Sequence, residues 1–280
     1  QKSPLRMRAS CYPLAFLFIL LPLSAWAGGY FQLSPEVDRA FTLTLSLRFP
    51  EANQQLELIR QKQPDNLMLL YVENYRDVLQ LMISEDEQLF QQLKGEKMPR
   101  LRQIIRGDKD SPYQLFLQAE IRLHWAITRL KFEEYLMAFN EISITYELLE
   151  KCRKEYPDFL PARRSYGLLK GFLGTIPRQM RWAARLIGGL DGDVAEGLQE
   201  LKGVWHAIHH QGGPEYFFQE TLTLYCLAQL YLAQEPAKAL DLLKTQQLTP
   251  SSNPVHTFLL ALVYKKNWQN DRAIAVLQEA

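Results

Sequence analysis

The chain has 280 residues, of which 47% are apolar and 22% are charged, and its formal net charge is +1. This composition is that of a folded globular protein and excludes a fibrous or intrinsically disordered chain. The near-neutral charge gives no electrostatic basis for binding nucleic acid, which needs a basic face.

The start of the chain matches a secretory signal peptide. Met7 and Arg8 supply a positively charged beginning, residues 12–23 form a short apolar run, and a small-x-small cleavage motif ends at Ala27. We therefore predict a signal peptide over residues 1–27, cleaved after Ala27, and an exported protein, periplasmic or secreted.

An uncleaved membrane anchor is the less favoured interpretation of the same run, because the run is short for a bilayer span and contains Pro22. Removal of residues 1–27 takes away three basic residues and no acid, which changes the formal net charge from +1 to −2. The mature domain is predicted to cover residues 28–280.

The cysteines indicate neither a redox motif nor a zinc ribbon, because the sequence contains no C-x-x-C. Cys11 precedes the apolar run and is not placed for lipid attachment at the cleavage point. Cys152 and Cys226 lie in strongly helical patterns. Two independent buried thiols are therefore favoured over a disulfide between them.

Apolar residues after Pro35 recur every three or four positions, which predicts helices throughout. In chain order, the first predicted helices are 35–47, 50–62, 67–82, one that begins at 84, 99–106 and 112–130. A long helix that ends near 156 and another that begins at 161 come next. The last predicted helices are 192–210, 214–233, 236–246, 254–266 and 270–280. The connections are short, so a single helical array is expected.

Several helix starts carry their own capping signals. Ser84 with Glu87 three positions later forms a capping box. Ser111 is a predicted N-cap because a proline follows it in the first turn. Either Asp191 or Asp193 is expected to cap the helix that follows.

A search for repeated helix pairs with a period near 34 residues finds three segments. Their matching positions are Leu260, Ala261, Tyr264, Ala273, Leu277 and Ala280 at the C-terminal end, Leu227, Ala228, Tyr231, Ala239 and Leu243 before them, and Ala40, Leu43, Ala52, Leu56 and Pro64 near the start. At these spacings the chain resembles tetratricopeptide repeat (TPR) proteins.

The resemblance implies an all-α fold in which antiparallel helix pairs stack in a TPR-like α-solenoid. The middle, 67–202, departs from the 34-residue spacing and is expected to form irregular, longer helices. An ordinary amphipathic bundle is the alternative interpretation. The last match ends on Ala280, so we expect the array either to be truncated there or to continue in a longer chain.

Two narrower likenesses concern the middle of the chain. Residues 73–77 and 83–86 resemble exported bacterial tetratricopeptide repeat proteins. The blocks 167–169, 174–177, 185–188, 192–193 and 197–198 are similar to the eukaryotic tetratricopeptide repeat protein 39 and inclusion-body-clearance group. Both likenesses imply an interaction protein rather than an enzyme.

The stretch from Tyr166 to Leu201 interrupts the helical pattern with seven glycines and Pro177. It contains neither a P-loop nor a dinucleotide-binding glycine motif, and the Asp-Gly-Asp at 191–193 lacks the other ligands of a calcium loop. The stretch is therefore predicted to be a departure from the regular repeat, with a glycine pair at 188–189 ending one helix.

A run of basic residues within this region is the main binding candidate. No acidic residue lies between Asp158 and Asp191, and the basic ones are Arg163, Arg164, Lys170, Arg178, Arg181 and Arg185. On a helix over 177–187, the side chains of Arg178, Arg181 and Arg185 share one face and are the predicted partner-binding residues. A solvated face paired with acids elsewhere, an acidic protein partner and an anionic membrane surface are the three interpretations.

The remaining candidates for chemistry are few. His206, His209 and His210 lie near a helix end but lack an acidic ligand or an H-E-x-x-H motif. His124 and His256 are isolated and are expected to be structural. No nucleophile motif is present, so no catalytic, cofactor-binding or metal-binding residue is predicted.

These observations favour a non-enzymatic, exported protein-binding scaffold of the tetratricopeptide repeat type. Its expected partner is a protein or peptide, without nucleic acid or cofactor. A peripheral membrane protein that uses the basic helix 177–187 is the main alternative, and a metal-dependent hydrolase that uses the histidines is a minor one.

Overall fold

A computed structural model describes residues 28–176, 190–246 and 253–279. Within these ranges the regular secondary structure is helical and includes no strand, which confirms the predicted all-α class. The helices are α1 (Pro35–Leu45), α2 (Phe49–Lys62), α3 (Met68–Ser84), α4 (Glu87–Leu93), α5 (Lys97–Ile105), α6 (Pro112–Lys131), α7 (Tyr135–Glu155), α8 (Leu160–Gly174), α9 (Val194–Gln211), α10 (Glu215–Tyr231), α11 (Pro236–Lys244), α12 (Pro254–Lys266) and α13 (Asn270–Glu279).

Two of the predicted caps are confirmed. Ser111 precedes α6, and its hydroxyl accepts a hydrogen bond from the Tyr113 amide at 3.3 Å. Asp193 precedes α9, and its Oδ1 accepts from the Glu196 amide at 2.8 Å. Each side chain satisfies an amide that has no partner inside its own helix.

The predicted capping box at Ser84 is wrong. Helix α3 continues through Ser84, and Glu85 then takes a left-handed conformation with φ of 54°. Asp86 caps α4 instead, because its Oδ1 accepts from the amides of Gln88 at 2.8 Å and Leu89 at 3.1 Å. The carboxylate one residue after the turn therefore takes the role that the sequence pattern assigns to the serine.

Small residues lie buried where the three repeat-like segments place them. The helix pairs α1 and α2, α10 and α11, and α12 and α13 pack together. Each helix of these pairs buries an alanine, namely Ala40, Ala52, Ala228, Ala239, Ala261 and Ala273. An alanine lets the two helix backbones approach more closely than a larger side chain would.

The first helix also packs against a helix far along the chain. The ring of Phe41 on α1 stacks on Tyr216 of α10, with centroids 4.3 Å apart. Asp38 accepts hydrogen bonds from the Glu215 amide at 3.1 Å and the Tyr216 amide at 3.0 Å. In an open solenoid each unit contacts only its neighbours. The contact between α1 and α10 therefore departs from a simple linear stack.

Helices α8 and α9 cross at a contact that is built from glycines. A Cβ atom on Gly197 of α9 would lie 2.4 Å from the carbonyl oxygen of Gly167 and 2.5 Å from the amide nitrogen of Gly171. A Cβ on Gly174 would lie 2.5 Å from the amide nitrogen of Val194. Only residues without a side chain permit this approach of two backbones, so these glycines serve helix packing.

The two cysteines within the described ranges are free and buried. Burial raises the pKa of each thiol to about 12. This confirms the prediction of two independent buried thiols at Cys152 and Cys226.

Among the described helices, none combines the length and the apolar character that a lipid-bilayer crossing requires.

Candidate functional site

The predicted partner-binding residues Arg178, Arg181 and Arg185 lie outside the described residues. So do the predicted signal peptide over 1–27 and the last repeat position, Ala280.

The three other basic residues of the same run pair with acids elsewhere in the fold. Arg163 binds Glu200 at 3.1 Å, and Arg164 contacts Glu120 and Glu220. Lys170 lies 3.4 Å from Asp191 and 3.3 Å from Glu196. The side chains of Arg164 and Lys170 are 1% and 7% exposed, so these two residues are buried.

Arg164 is the centre of a buried polar network. Its guanidinium lies between Glu120 of α6, at 3.4 Å, and Glu220 of α10. Tyr71 donates a hydrogen bond to Glu120 at 2.9 Å, and Tyr75 donates one to Glu220 at 2.9 Å. Four helices therefore contribute to one cluster.

The charges within the network hold its members in defined protonation states. Burial alone would lower the pKa of the Arg164 guanidinium, but the charges of Glu220 and Glu120 raise it. Burial raises the pKa of Tyr71 and Tyr75 well above the usual value, and the same two carboxylates raise it further. At neutral pH the arginine is charged and both tyrosines keep the protons that they donate.

His124 joins the network as a neutral ring. The indole nitrogen of Trp125 donates to Asn74 Oδ1 at 2.8 Å, so the amide nitrogen of Asn74 faces His124 Nδ1 at 3.2 Å. Since Nδ1 accepts that bond, Nε2 carries the proton and faces Glu120 at 3.7 Å. Burial lowers the pKa of His124 to about 4.

Three residues of the network are of types that bind metal ions. Glu120, His124 and Glu220 bring one ligand atom each within 4.8 Å of one another. However, the Arg164 guanidinium contacts both carboxylates, and His124 Nε2 carries a proton where a metal needs a lone pair. This donor set fits an ion-paired network better than a metal centre.

The three histidines near the end of α9 are not arranged as metal ligands either. In the part of the chain that the structure describes, His206, His209 and His210 do not form a group with the spacing of metal ligands. The ring of His209 packs against Trp205, with centroids 4.1 Å apart, and its Nδ1 lies 3.0 Å from the Trp205 carbonyl oxygen.

A groove of about 320 Å³ opens between α9, α10 and α11. Trp205 and Tyr225 form aromatic walls, and Lys238 and Asp241 lie on its α11 side. Gln229 also lines it, is 5% exposed, and has a buried side-chain oxygen without a hydrogen-bond partner.

Sequence reasoning missed both the groove and the network. Tyr225 and Gln229 are one helical turn apart, as are Tyr71 and Tyr75. That spacing places each pair on one helix face, but polar residues at helical spacing are usually exposed. The sequence carries no signal that these pairs meet groups from other helices.

No family model, no curated protein and no solved structure matches this chain. The likenesses to tetratricopeptide repeat proteins therefore depend on the residues quoted for them.

Proposed function

We propose that this chain is an exported, non-enzymatic scaffold of the tetratricopeptide repeat type that binds a peptide segment of a partner protein. The proposed binding site is the groove between α9, α10 and α11. The unpartnered side-chain oxygen of Gln229, buried between aromatic walls, is the observation that carries this proposal.

A buried acceptor without a partner is unfavourable, because the group has lost its bond to water. A backbone N–H of an extended peptide offers the missing donor at Gln229. The ring faces of Trp205 and Tyr225 provide an apolar surface for the side chains of that peptide. Lys238 and Asp241 add one charge of each sign, which favours partners with a matching charge pattern.

The scaffold assignment has separate support. Alanines are buried where helices pair in the three repeat-like segments. The Arg164 guanidinium is 1% exposed and pairs with Glu120 and Glu220, so these charged side chains join helices inside the fold. Stacked helix pairs of this type present rigid surfaces to extended ligands, which fits a groove formed by three helices.

An array of 12-residue peptides tests the proposal. The chain with Gln229→Leu is compared with the unchanged chain and with Gln61→Leu, a matched change at an exposed position of α2. We expect the unchanged chain and Gln61→Leu to select a set of related peptides. Fluorescence anisotropy on those peptides should show about tenfold weaker binding to Gln229→Leu, equivalent to about 1.4 kcal/mol.

Two outcomes contradict the proposal. One is that no peptide binds the unchanged chain above background. The other is that the selected peptides bind Gln229→Leu as tightly as Gln61→Leu, which would place their site elsewhere.

A further inference from the structure

A second concavity lies on another part of α10. It is a cavity of about 90 Å³ where α1, α3, α10 and α12 meet, and it shares no lining residue with the groove. Its apolar wall consists of Leu45, Leu79, Leu224 and Val255. Its polar wall includes Tyr75 and Glu220, which belong to the buried network.

Three oxygens of the polar wall have no hydrogen left to donate. Tyr75 donates its proton to Glu220 at 2.9 Å, and Thr223 donates its proton to the backbone oxygen of Gln219 at 2.9 Å. The side-chain nitrogen of Gln219 donates to Glu215 at 2.7 Å, which leaves its Oε1 buried without a partner. These three oxygens therefore act as acceptors, and a group that bonds to them must be a donor.

The local charge favours a cation. Behind the polar wall, the carboxylates of Glu120 and Glu220 face the single guanidinium of Arg164. His124 is neutral, so the network has a formal excess of one negative charge. His256 also lines the cavity. Because burial lowers the pKa of His256, its ring adds no positive charge at neutral pH.

Size limits the ligand further. A cavity of about 150 Å³ in a protein interior takes a benzene ring. By that measure the space here holds roughly three to five non-hydrogen atoms. A primary ammonium group supplies three N–H donors and one positive charge within this size.

We propose that this cavity binds a small primary alkylammonium ion. The ammonium group donates to the oxygens of Gln219, Tyr75 and Glu220. The alkyl part packs against Leu79 and Leu224. This site does not depend on the peptide groove.

Thermal unfolding of the full chain in ethylammonium chloride tests the site, with sodium chloride at equal ionic strength as the reference. A ligand that binds only the folded state raises Tm with its concentration. We expect a saturable rise of a few degrees with ethylammonium. Tetramethylammonium chloride carries the same charge but has no N–H donor, and we expect it to produce no rise.

Two variants locate the effect. Leu224→Phe fills the cavity, and Gln219→Leu removes the unpartnered acceptor; each should abolish the ethylammonium-dependent rise. If Leu224→Phe does not fold, Gln219→Leu alone shows whether ethylammonium binds in the cavity. Gln229→Leu, in the separate groove, should keep the full rise.

The proposal is overturned if ethylammonium produces no saturable rise in the unchanged chain. It is also overturned if tetramethylammonium produces an equal rise, or if Gln219→Leu responds as the unchanged chain does. An unchanged response in Gln219→Leu would mean that the ion binds elsewhere on the surface.

Discussion

Helix α8 makes two contacts of opposite character. Towards α9 it presents Gly167 and Gly171, which let the two backbones touch without side chains. At Arg164 it places a full guanidinium inside the protein, between carboxylates that lie 44 and 56 residues away in sequence. The contact with α9 requires that these residues have no side chain. The contact around Arg164 requires that all the charged partners are present together.

This difference determines how each contact fails. A glycine crossing is destabilised when any atom is added, because the obstruction is backbone rather than the end of a flexible side chain. A buried ion network breaks when any member is removed, because the remaining charges lose their compensation inside a medium of low dielectric constant.

Arg164→Ala should be the most damaging substitution. It leaves Glu120 and Glu220 buried without their counter-charge, and breaking such a network typically costs about 3–5 kcal/mol. Urea unfolding measures the loss. Arg163→Ala is the matched control on the same helix, because Arg163 is 32% exposed and pairs with Glu200 at the surface.

Loss of a surface pair costs about 0–1 kcal/mol, so the two neighbouring arginines should differ by several kcal/mol. Equal losses for Arg163→Ala and Arg164→Ala would show that the network contributes no more than a surface pair.

The network should also make stability depend on pH through His124. Its pKa is about 4 in the folded protein and 6.5 in the unfolded chain. The unfolded chain therefore binds a proton first as the pH falls, and the free energy of unfolding decreases between pH 6.5 and pH 4. Over the whole window the loss is about 3 kcal/mol.

Urea unfolding at several pH values measures this slope. Since other groups titrate in the same range, the informative quantity is the difference between the unchanged chain and His124→Gln, which should have a shallower slope. His206→Gln, at an exposed position of α9, should keep the original slope. A slope that His124→Gln leaves intact would contradict the prediction.

Gly197→Ala tests the other contact of α8. The added methyl group would meet the backbone of Gly167 and Gly171 at 2.4–2.7 Å, and the helices must separate to accept it. We expect a loss of about 1–3 kcal/mol in the free energy of unfolding, as for other overpacked contacts.

Gly203 lies on the same helix and gives the matched control. A methyl group there would meet only Arg163 Nη2, at 3.5 Å. Gly203→Ala should therefore stabilise the protein by about 0.4–1 kcal/mol through lower flexibility of the unfolded chain. If both substitutions had the same sign and size, the crossing would not require glycine.

The sequence predicts local features of the molecule better than distant ones. Helical periodicity and the caps at Ser111 and Asp193 are readable because each depends on residues within about one turn. The cap at Ser84 fails because α3 continues through Ser84, and Asp86, two residues later, caps α4. The glycines are visible in the sequence, but their packing role becomes evident only when α9 is placed against α8.

The network could not be predicted in the same way. The bond from Tyr75 to Glu220 joins residues 145 positions apart, and no sequence pattern around either residue indicates the other. Arg164 belongs to a basic run that resembles an exposed face. Only the packing of α3, α6, α8 and α10 shows that its charge is satisfied inside the protein.

Two aspartates allow a local contact to be compared with a distant one, because each carboxylate accepts hydrogen bonds from amides at the start of a helix. Asp193 caps its own helix α9, whereas Asp38 on α1 binds the first amides of α10, which begins after Pro214 and has no side-chain cap of its own. Replacing either aspartate by alanine should cost about 1 kcal/mol.

Hydrogen exchange distinguishes the two losses. In Asp38→Ala, the amides of Glu215 and Tyr216 should exchange faster, and so should amides of α1, because the bond that joins the two helices is gone. In Asp193→Ala, faster exchange should be confined to the start of α9. Asp38→Asn keeps only one of the two acceptor oxygens and turns an NH2 donor toward the other backbone N–H, so it should preserve protection at only one of these two amides. If Asp38→Asn kept both amides fully protected, the second carboxylate oxygen would contribute nothing to the contact between α1 and α10.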